Sequence, residues 1–183
     1  MMTYWTERLI LTSMRPEHEA ELLKLHKDPL VREMIFNNVP QTSDDVRKSL
    51  DRALAQWQKN GFGWWMIYEK ADDGPIFIGR CGLWDYEDTN NLEIGNMLCE
   101  HGRGRGLGTE AARFAVTHAL RNSSKEKVVS VIAHGNARSQ RGAKKLGLRY
   151  IDDRLDKREG RIKQYYEMSR EEYFFQPHHQ ISE

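Results

Sequence analysis

Seven residues, Gly102-Arg103-Gly104-Arg105-Gly106-Leu107-Gly108, constrain this chain more than any other stretch, because four are glycines lying between a strand-like run and a helix-like one. Before them, Leu92 to Cys99 reads as β-structure. From Leu107 onward, Ala111, Ala115 and Ala119 recur every fourth position beside Ala112, Val116 and Leu120, while Glu110, Arg113, Thr117 and Arg121 fall on the other side. That spacing predicts an amphipathic helix packed on a sheet. Glycines let the backbone approach a ligand without Cβ clashes. The first helical turn then presents unpaired amides and a partial positive charge, which favours phosphate. For fingerprint starts at Gly102 and Gly104, the third glycine of a dinucleotide motif would fall on Leu107 and Thr109, and no Lys-Ser or Lys-Thr follows the glycines as a Walker loop requires. An anion is the natural ligand. A plain tight turn, or an Arg-Gly contact to nucleic acid in a disordered arm, remains open on these residues alone.

The rest of the chain supplies elements for such a site. Glu7 to Met14 is β-prone, and Pro16 suits the first turn of a helix to about Lys27. Val46, Leu50, Ala53, Leu54 and Trp57 recur at helical spacing behind a capping-like Thr-Ser-Asp-Asp start at Thr42, and Gly61 ends that helix. Gly63 to Lys70, Ile76 to Tyr86 and Leu92 to Cys99 read as an antiparallel meander. Lys127 to Ala133 is a further strand, Asn136 to Leu146 a helix, and Leu148 to Asp152 and Ile162 to Met168 pair around Arg158-Glu159-Gly160. The order is β-α-α-β-β-β-α-β-α-β-β, an α/β (α+β) chain with about seven strands and four helices. Repeats and low-complexity linkers are absent, so residues 1–170 are expected to form a single domain, with a polar tail at 171–183 that holds His178-His179.

Charge is balanced, 28 basic residues against 27 acidic, which argues against a nucleic-acid or anionic-membrane partner. Cys81 and Cys99 have neither CxxC spacing nor a histidine pattern for zinc, so a reducing compartment and no metal are expected. The amino terminus has no signal-peptide pattern, and nowhere do 18 apolar residues run together; the expectation is a cytoplasmic protein.

Arg103-x-x-Gly106-x-Gly108 resembles the pyrophosphate-binding turn, Gln/Arg-x-x-Gly-x-Gly/Ala, of the GNAT N-acetyltransferase superfamily. Glu93-Ile94-Gly95 through Thr109-Glu110-Ala111 is similar to that superfamily's central strand, turn and helix. Thr6-Glu7-Arg8-Leu9, Phe62-Gly63-Trp64-Trp65, Asn136-x-x-Ser139 and Lys145-Leu146-Gly147-Leu148 resemble its ribosomal-protein N-terminal acetyltransferase-like branch, so the resemblance spans residues 6–170. It implies a GNAT-like fold with a mixed, mostly antiparallel, splayed sheet, and acetyl-CoA as co-substrate. Arg103, Gly104, Arg105, Gly106, Leu107, Gly108 and Thr109 would hold the pyrophosphate. Backbone groups of Met97, Leu98 and Cys99 would bind the pantetheine arm as an added strand, with Cys99 packing rather than reacting.

Acetyl transfer from a thioester needs a neutral amine, whereas a lysine amine has a reference pKa of about 10.4. Glu93, matching a glutamate frequent in the branch, is the expected base, directly or through water; its alternative is an ordinary surface strand residue. Many superfamily members protonate the leaving thiolate with a tyrosine seven residues after the asparagine, and Ala143 stands there instead. Ser139 is the favoured substitute, since it shares a helical face with Ala143 and Leu146 while Arg138, Arg141 and Lys145 form another. Asn136 is expected at the cofactor or as an N-cap. His134 is an alternative base, more often structural in such a place, and Arg141, Lys144 and Lys145 are basic candidates for the CoA 3′-phosphate that also read as a solvated face. The acceptor, a small-molecule or peptide amine, is expected among the first two helices, Trp84-Asp85-Tyr86-Glu87-Asp88 and the hairpin with Tyr165 and Tyr166, where acidic and aromatic groups suit a cation. The family implies a homodimer. Two rival readings are a CoA-binding sensor without turnover and an RNA-binding module.

Overall fold

The computed structural model describes residues 2–176; the tail with His178-His179 lies outside the described residues. Among these there are eight strands and six α-helices. In chain order they are β1 (Thr3–Trp5), β2 (Leu9–Ser13), α1 (Glu19–His26), α2 (Pro29–Phe36), α3 (Ser43–Asn60), β3 (Trp64–Glu69), β4 (Ile76–Asp85), β5 (Asn91–Leu98), α4 (Leu107–Arg121), β6 (Lys127–Ile132), α5 (Ala137–Leu146), β7 (Arg149–Asp156), β8 (Arg161–Ser169) and α6 (Arg170–Phe174). The strands form one mixed sheet in the order β1-β2-β3-β4-β5-β6-β8-β7. β5 and β6 run parallel over Asn91–Glu93 and Lys127–Val129, whereas the β1–β2, β2–β3, β3–β4, β6–β8 and β7–β8 pairs are antiparallel. β1, α2 and α6 are additions to the elements read from sequence.

Local chemistry sets the helix limits. Thr42 caps α3 by accepting from the Asp45 amide at 3.2 Å, while the Asp45 carboxylate takes the Thr42 amide at 2.9 Å; Gly61, at φ 69, ends the helix. Pro29 opens α2 behind Asp28, whose Oδ1 accepts from the amides of Leu30 and Val31. Ser169 and Glu172 form a capping box on α6, and Tyr173 in that helix is fully buried, so the helix occupies the start of the tail expected from residue 171.

Two compact units can be told apart in the chain, Met1–Leu83 with Gly95–Asn122 and Trp84–Ile94 with Ser123 onward. In the first, Met14, Leu22, Val46, Leu50, Ala53 and Met66 form one apolar cluster, and Leu25, Val31, Met97 and Cys99 form another. The alanine stripe of α4 is buried, as its spacing predicts, at Ala111, Ala112, Ala115 and Ala119. In the second unit Val128, Val129, Leu146, Leu148, Met168 and Tyr173 are buried. Each such side chain contributes roughly 1.5–3 kcal/mol when fully withdrawn from water.

Candidate functional site

The glycine-rich turn sits in the first unit, between β5 and α4. Gly106 is the cap residue of α4 at φ 82, and no side chain caps the helix. Its carbonyl accepts from Thr109 and Glu110, while among the described residues the amides of Gly104, Arg105, Gly106, Leu107 and Gly108 have no partner. These are donors at the positive end of a 15-residue helix dipole, a ready anion site. At Gly108 a Cβ would stand 2.9 Å from a Leu98 methyl, which would have to turn aside.

The arginines of the turn face the protein. Arg103 donates through Nε to the Leu98 carbonyl at 2.9 Å and pairs with Asp28, whose carboxyl is held below the ordinary range because Arg103 and the two capping amides outweigh burial, the largest single effect. Arg105 clamps Glu69 with two 2.6 Å bonds and donates to the His101 carbonyl. These contacts hold the loop in shape. Arg8 donates to the Arg105 carbonyl, and Glu110, in the first turn of α4, accepts from the Thr6 hydroxyl and from the Arg8 amide and guanidinium at 2.6–2.9 Å. The Thr6-Glu7-Arg8-Leu9 motif is therefore the brace of the turn, a role its sequence does not disclose.

Two backbone groups expected to lie free for a pantetheine arm are occupied: the Leu98 carbonyl by Arg103 and the Cys99 amide by the Ile78 carbonyl at 2.9 Å. Met97 and Cys99 are buried in an apolar cluster, and burial, assisted by the Asp28 charge, pushes the Cys99 thiol up, consistent with packing rather than nucleophilic attack.

In the second unit Glu93 is buried at 5% exposure, which overturns its reading as a surface strand residue. Trp84 Nε1 donates to it at 2.9 Å, and Arg158 grips both oxygens at 2.9–3.0 Å. Burial raises the Glu93 pKa against the pull of Arg158 and Trp84. Arg158 also bonds Asp156, which holds Lys163 at 2.8 Å and whose pKa falls to about 2 as these cations outweigh burial. Sequence reading took Arg158 only as a turn residue and missed this network; its one signal was a charged run at the hairpin tip.

The family model of the acetyltransferase (GNAT) domain matches residues 8–149. The chain belongs to the GNAT acetyltransferase family. The uncharacterized protein YkkB of Bacillus subtilis (strain 168) is 27% identical over 148 residues, 79% of this chain and 84% of YkkB. Among solved structures, RimL, the ribosomal L7/L12 alpha-N-protein acetyltransferase in complex with coenzyme A, superimposes with a TM-score of 0.74 at 15% identity, covering 90% of this chain and 95% of RimL. The aminoglycoside acetyltransferase AAC(6')-Ib in complex with coenzyme A gives 0.73 at 20% identity, covering 90% and 96%. These two share the fold.

In this GNAT chain the remaining sequence-predicted residues fall as follows. Asn136 is the N-cap of α5, its Oδ1 accepting from the Ser139 amide at 3.1 Å. Ser139 is half-buried on the face of Ala143 and Leu146, with Arg138, Arg141, Lys144 and Lys145 exposed opposite. Among the described residues no hydrogen bond joins Glu93 to Ser139 or Asn136. His134 pairs with Asp153 at 3.2 Å. The acidic, aromatic surroundings expected for a cationic acceptor are answered by the chain's own cations: Lys125 pairs with Asp85, Lys157 lies 3.7 Å from Glu87, and Arg154 sits 3.5 Å over the Tyr165 ring. No group of three or more His, Cys, Asp or Glu among the described residues could hold a metal ion, and no described helix is long and apolar enough to cross a membrane.

Proposed function

We propose that this GNAT chain moves acetyl from acetyl-CoA directly to a primary amine in a ternary complex. The observation that carries the reading is the uncapped start of α4, where glycines expose unpartnered amides to a pyrophosphate. The residues fit that group, since Gly104 and Gly106 have positive φ, with nothing within 4 Å of a Cβ position at Gly104 and Arg8 Nη2 at 3.6 Å from that at Gly106, where side chains would intrude. When bound, acetyl-CoA supplies an activated thioester carbonyl. Glu93 receives the proton of the acceptor ammonium, through water at Oε1, because Oε2 holds both Trp84 Nε1 and Arg158 Nη1 whereas Oε1 accepts from Arg158 Nη2 and keeps a further lone pair. The freed nitrogen attacks the carbonyl, the C–S bond breaks, and the second proton that the nitrogen sheds passes through the Ser139 hydroxyl, which gives one proton to the leaving thiolate and regains one from the nitrogen. The elevated Glu93 pKa makes it a better base than an exposed carboxylate. The free, buried Cys81 and Cys99 fit a reducing cytoplasm.

The acceptor is an amine on a peptide N-terminus or a small molecule, the two classes represented by the names of RimL and AAC(6')-Ib. Acetyl-CoA-dependent thiol release across N-terminal peptides, amino acids, polyamines and aminosugars tests the reading. Glu93→Gln should lower kcat by about 10²-fold or more, and wild-type kcat should fall as pH drops through a value above the ordinary glutamate range. Thermal stabilisation by acetyl-CoA without release on any amine would favour the sensor reading instead, and neither effect would remove the turn from cofactor binding.

A further inference from the structure

Arg80 is a charge in the core that meets no opposite charge among the described residues. It lies on β4 opposite Met66 of β3, 4% exposed, with its guanidinium stacked 4.3 Å over the Trp64 ring. Its polar contact is a long 3.5 Å bond from Nη1 to the Ser49 hydroxyl, and its Nε is buried with no partner. Among the described residues no carboxylate pairs with it. Burial, then the charge of Arg52, lowers its pKa to about 10, so at neutral pH it stays a cation. His26 of α1, on whose ring the Arg80 charge acts, is 1% exposed with both ring nitrogens unpartnered. His26 stacks at 4.8 Å on Phe36, and Phe36 and Phe77 pack on the cluster of Leu25, Val31, Met97 and Cys99 at the end of β5 that leads into the turn.

Buried charges in proteins are paired or coordinated, and an unsatisfied buried donor costs free energy that a purely structural residue has no reason to retain. An arginine fork with a serine hydroxyl in reach matches the donor pattern that receives a carboxylate or phosphate, and the unpartnered imidazole, on which the same charge acts, is a second donor. They lie on β4, α1 and α3, and α1 and α3 are the helices in which the acceptor is expected. We infer that Arg80, His26 and Ser49 form an anion subsite for the acceptor, so that the amine acetylated by this chain carries a carboxylate or phosphate of its own. This rests on the transferase reading above.

The test has two arms, both with acetyl-CoA saturating so that the turn is filled. In the first, kcat/KM is compared for matched acceptors, free α-amino acids against their amides and phosphoethanolamine against ethanolamine; the pair showing preference names the anion. Wild type should favour the anionic member by about tenfold to a hundredfold, with the difference mainly in KM, and Arg80→Met should collapse the ratio. In the second arm, succinate and inorganic phosphate at ionic strength matched with sodium chloride should raise the thermal midpoint of wild type and not of Arg80→Met. Should that variant fail to fold, Arg80→Lys, which keeps the charge and loses the fork, should reduce the preference. Equal preference for neutral acceptors, or equal protection of wild type and variant, would overturn the subsite. Failure of thiol release on every amine, with anion protection still dependent on Arg80, would sink the transferase reading and with it the acceptor as the source of the anion.

Discussion

Gly106 holds φ at 82, and the nearest atom to the place where a Cβ would stand is Arg8 Nη2 at 3.6 Å. A side chain there meets backbone strain of about 1–2 kcal/mol rather than a clash, so the protein should still fold. Gly106→Val would, however, stand a branched side chain at the mouth of the α4 amides. Calorimetry should show acetyl-CoA affinity weakened at least about tenfold, with the far-ultraviolet spectrum unchanged; full affinity in a folded variant removes the turn from the site. The glycine spacing behind this prediction was legible in the sequence. The destination of Arg103 was not, because Asp28 is 75 residues away along the chain and only folding brings them together. Glu93 is a similar case: its position on a strand was readable, whereas its burial and its grip by Arg158, 65 residues later, were not.

Asp28 joins two elements, capping α2 and anchoring the arginine of the turn. The two roles separate by substitution. Asp28→Asn keeps a side-chain oxygen for the Leu30 and Val31 amides and loses the charge opposite Arg103; Asp28→Ala loses both. With the pair only 12–15% exposed, removing one partner leaves a largely buried cation. Urea denaturation should show Asp28→Ala destabilised by about 3 kcal/mol and Asp28→Asn by about 1 kcal/mol less, the value of the cap. Equal losses would mean that the cap contributes nothing. The helices α3 and α5 were readable in their limits because Thr42, Gly61, Asn136 and Gly147 carry cap chemistry in the sequence itself. The Asp28-Pro29 start of α2 is the same kind of signal, but eight residues carry too little periodicity to stand out. β1, at three residues, exists through its pairing with β2.

Across the whole molecule, acid should destabilise in two stages. Burial, with the Arg80 charge, lowers the His26 pKa from 6.5 to about 4, and burial lowers His18 and His118 as well. Between these values the unfolded chain binds more protons than the folded one, so stability is present above 6.5 and is lost as pH falls; His26 alone accounts for about 3 kcal/mol. Below about pH 4 the depressed carboxylates of Asp28, Glu110 and Asp156 extend the loss, Asp156 down to about pH 2. Glu93, whose pKa is raised, acts in the opposite sense, gaining stability as pH falls through its window. The thermal midpoint should therefore decline from pH 6.5 to 4, and His26→Gln should flatten that decline; an unchanged slope would show that the ring is not buried neutral. What the sequence determined by itself was everything written in short-range chemistry: the order of most elements, their caps, the alanine face of α4 and the glycine turn. Tertiary structure alone decided which groups are buried and which charges meet: Arg103 with Asp28, Glu93 with Arg158, Arg80 with no carboxylate among the described residues. Periodicity and capping act over a few residues, whereas desolvation and ion pairing depend on neighbours that chain folding brings from tens of residues away.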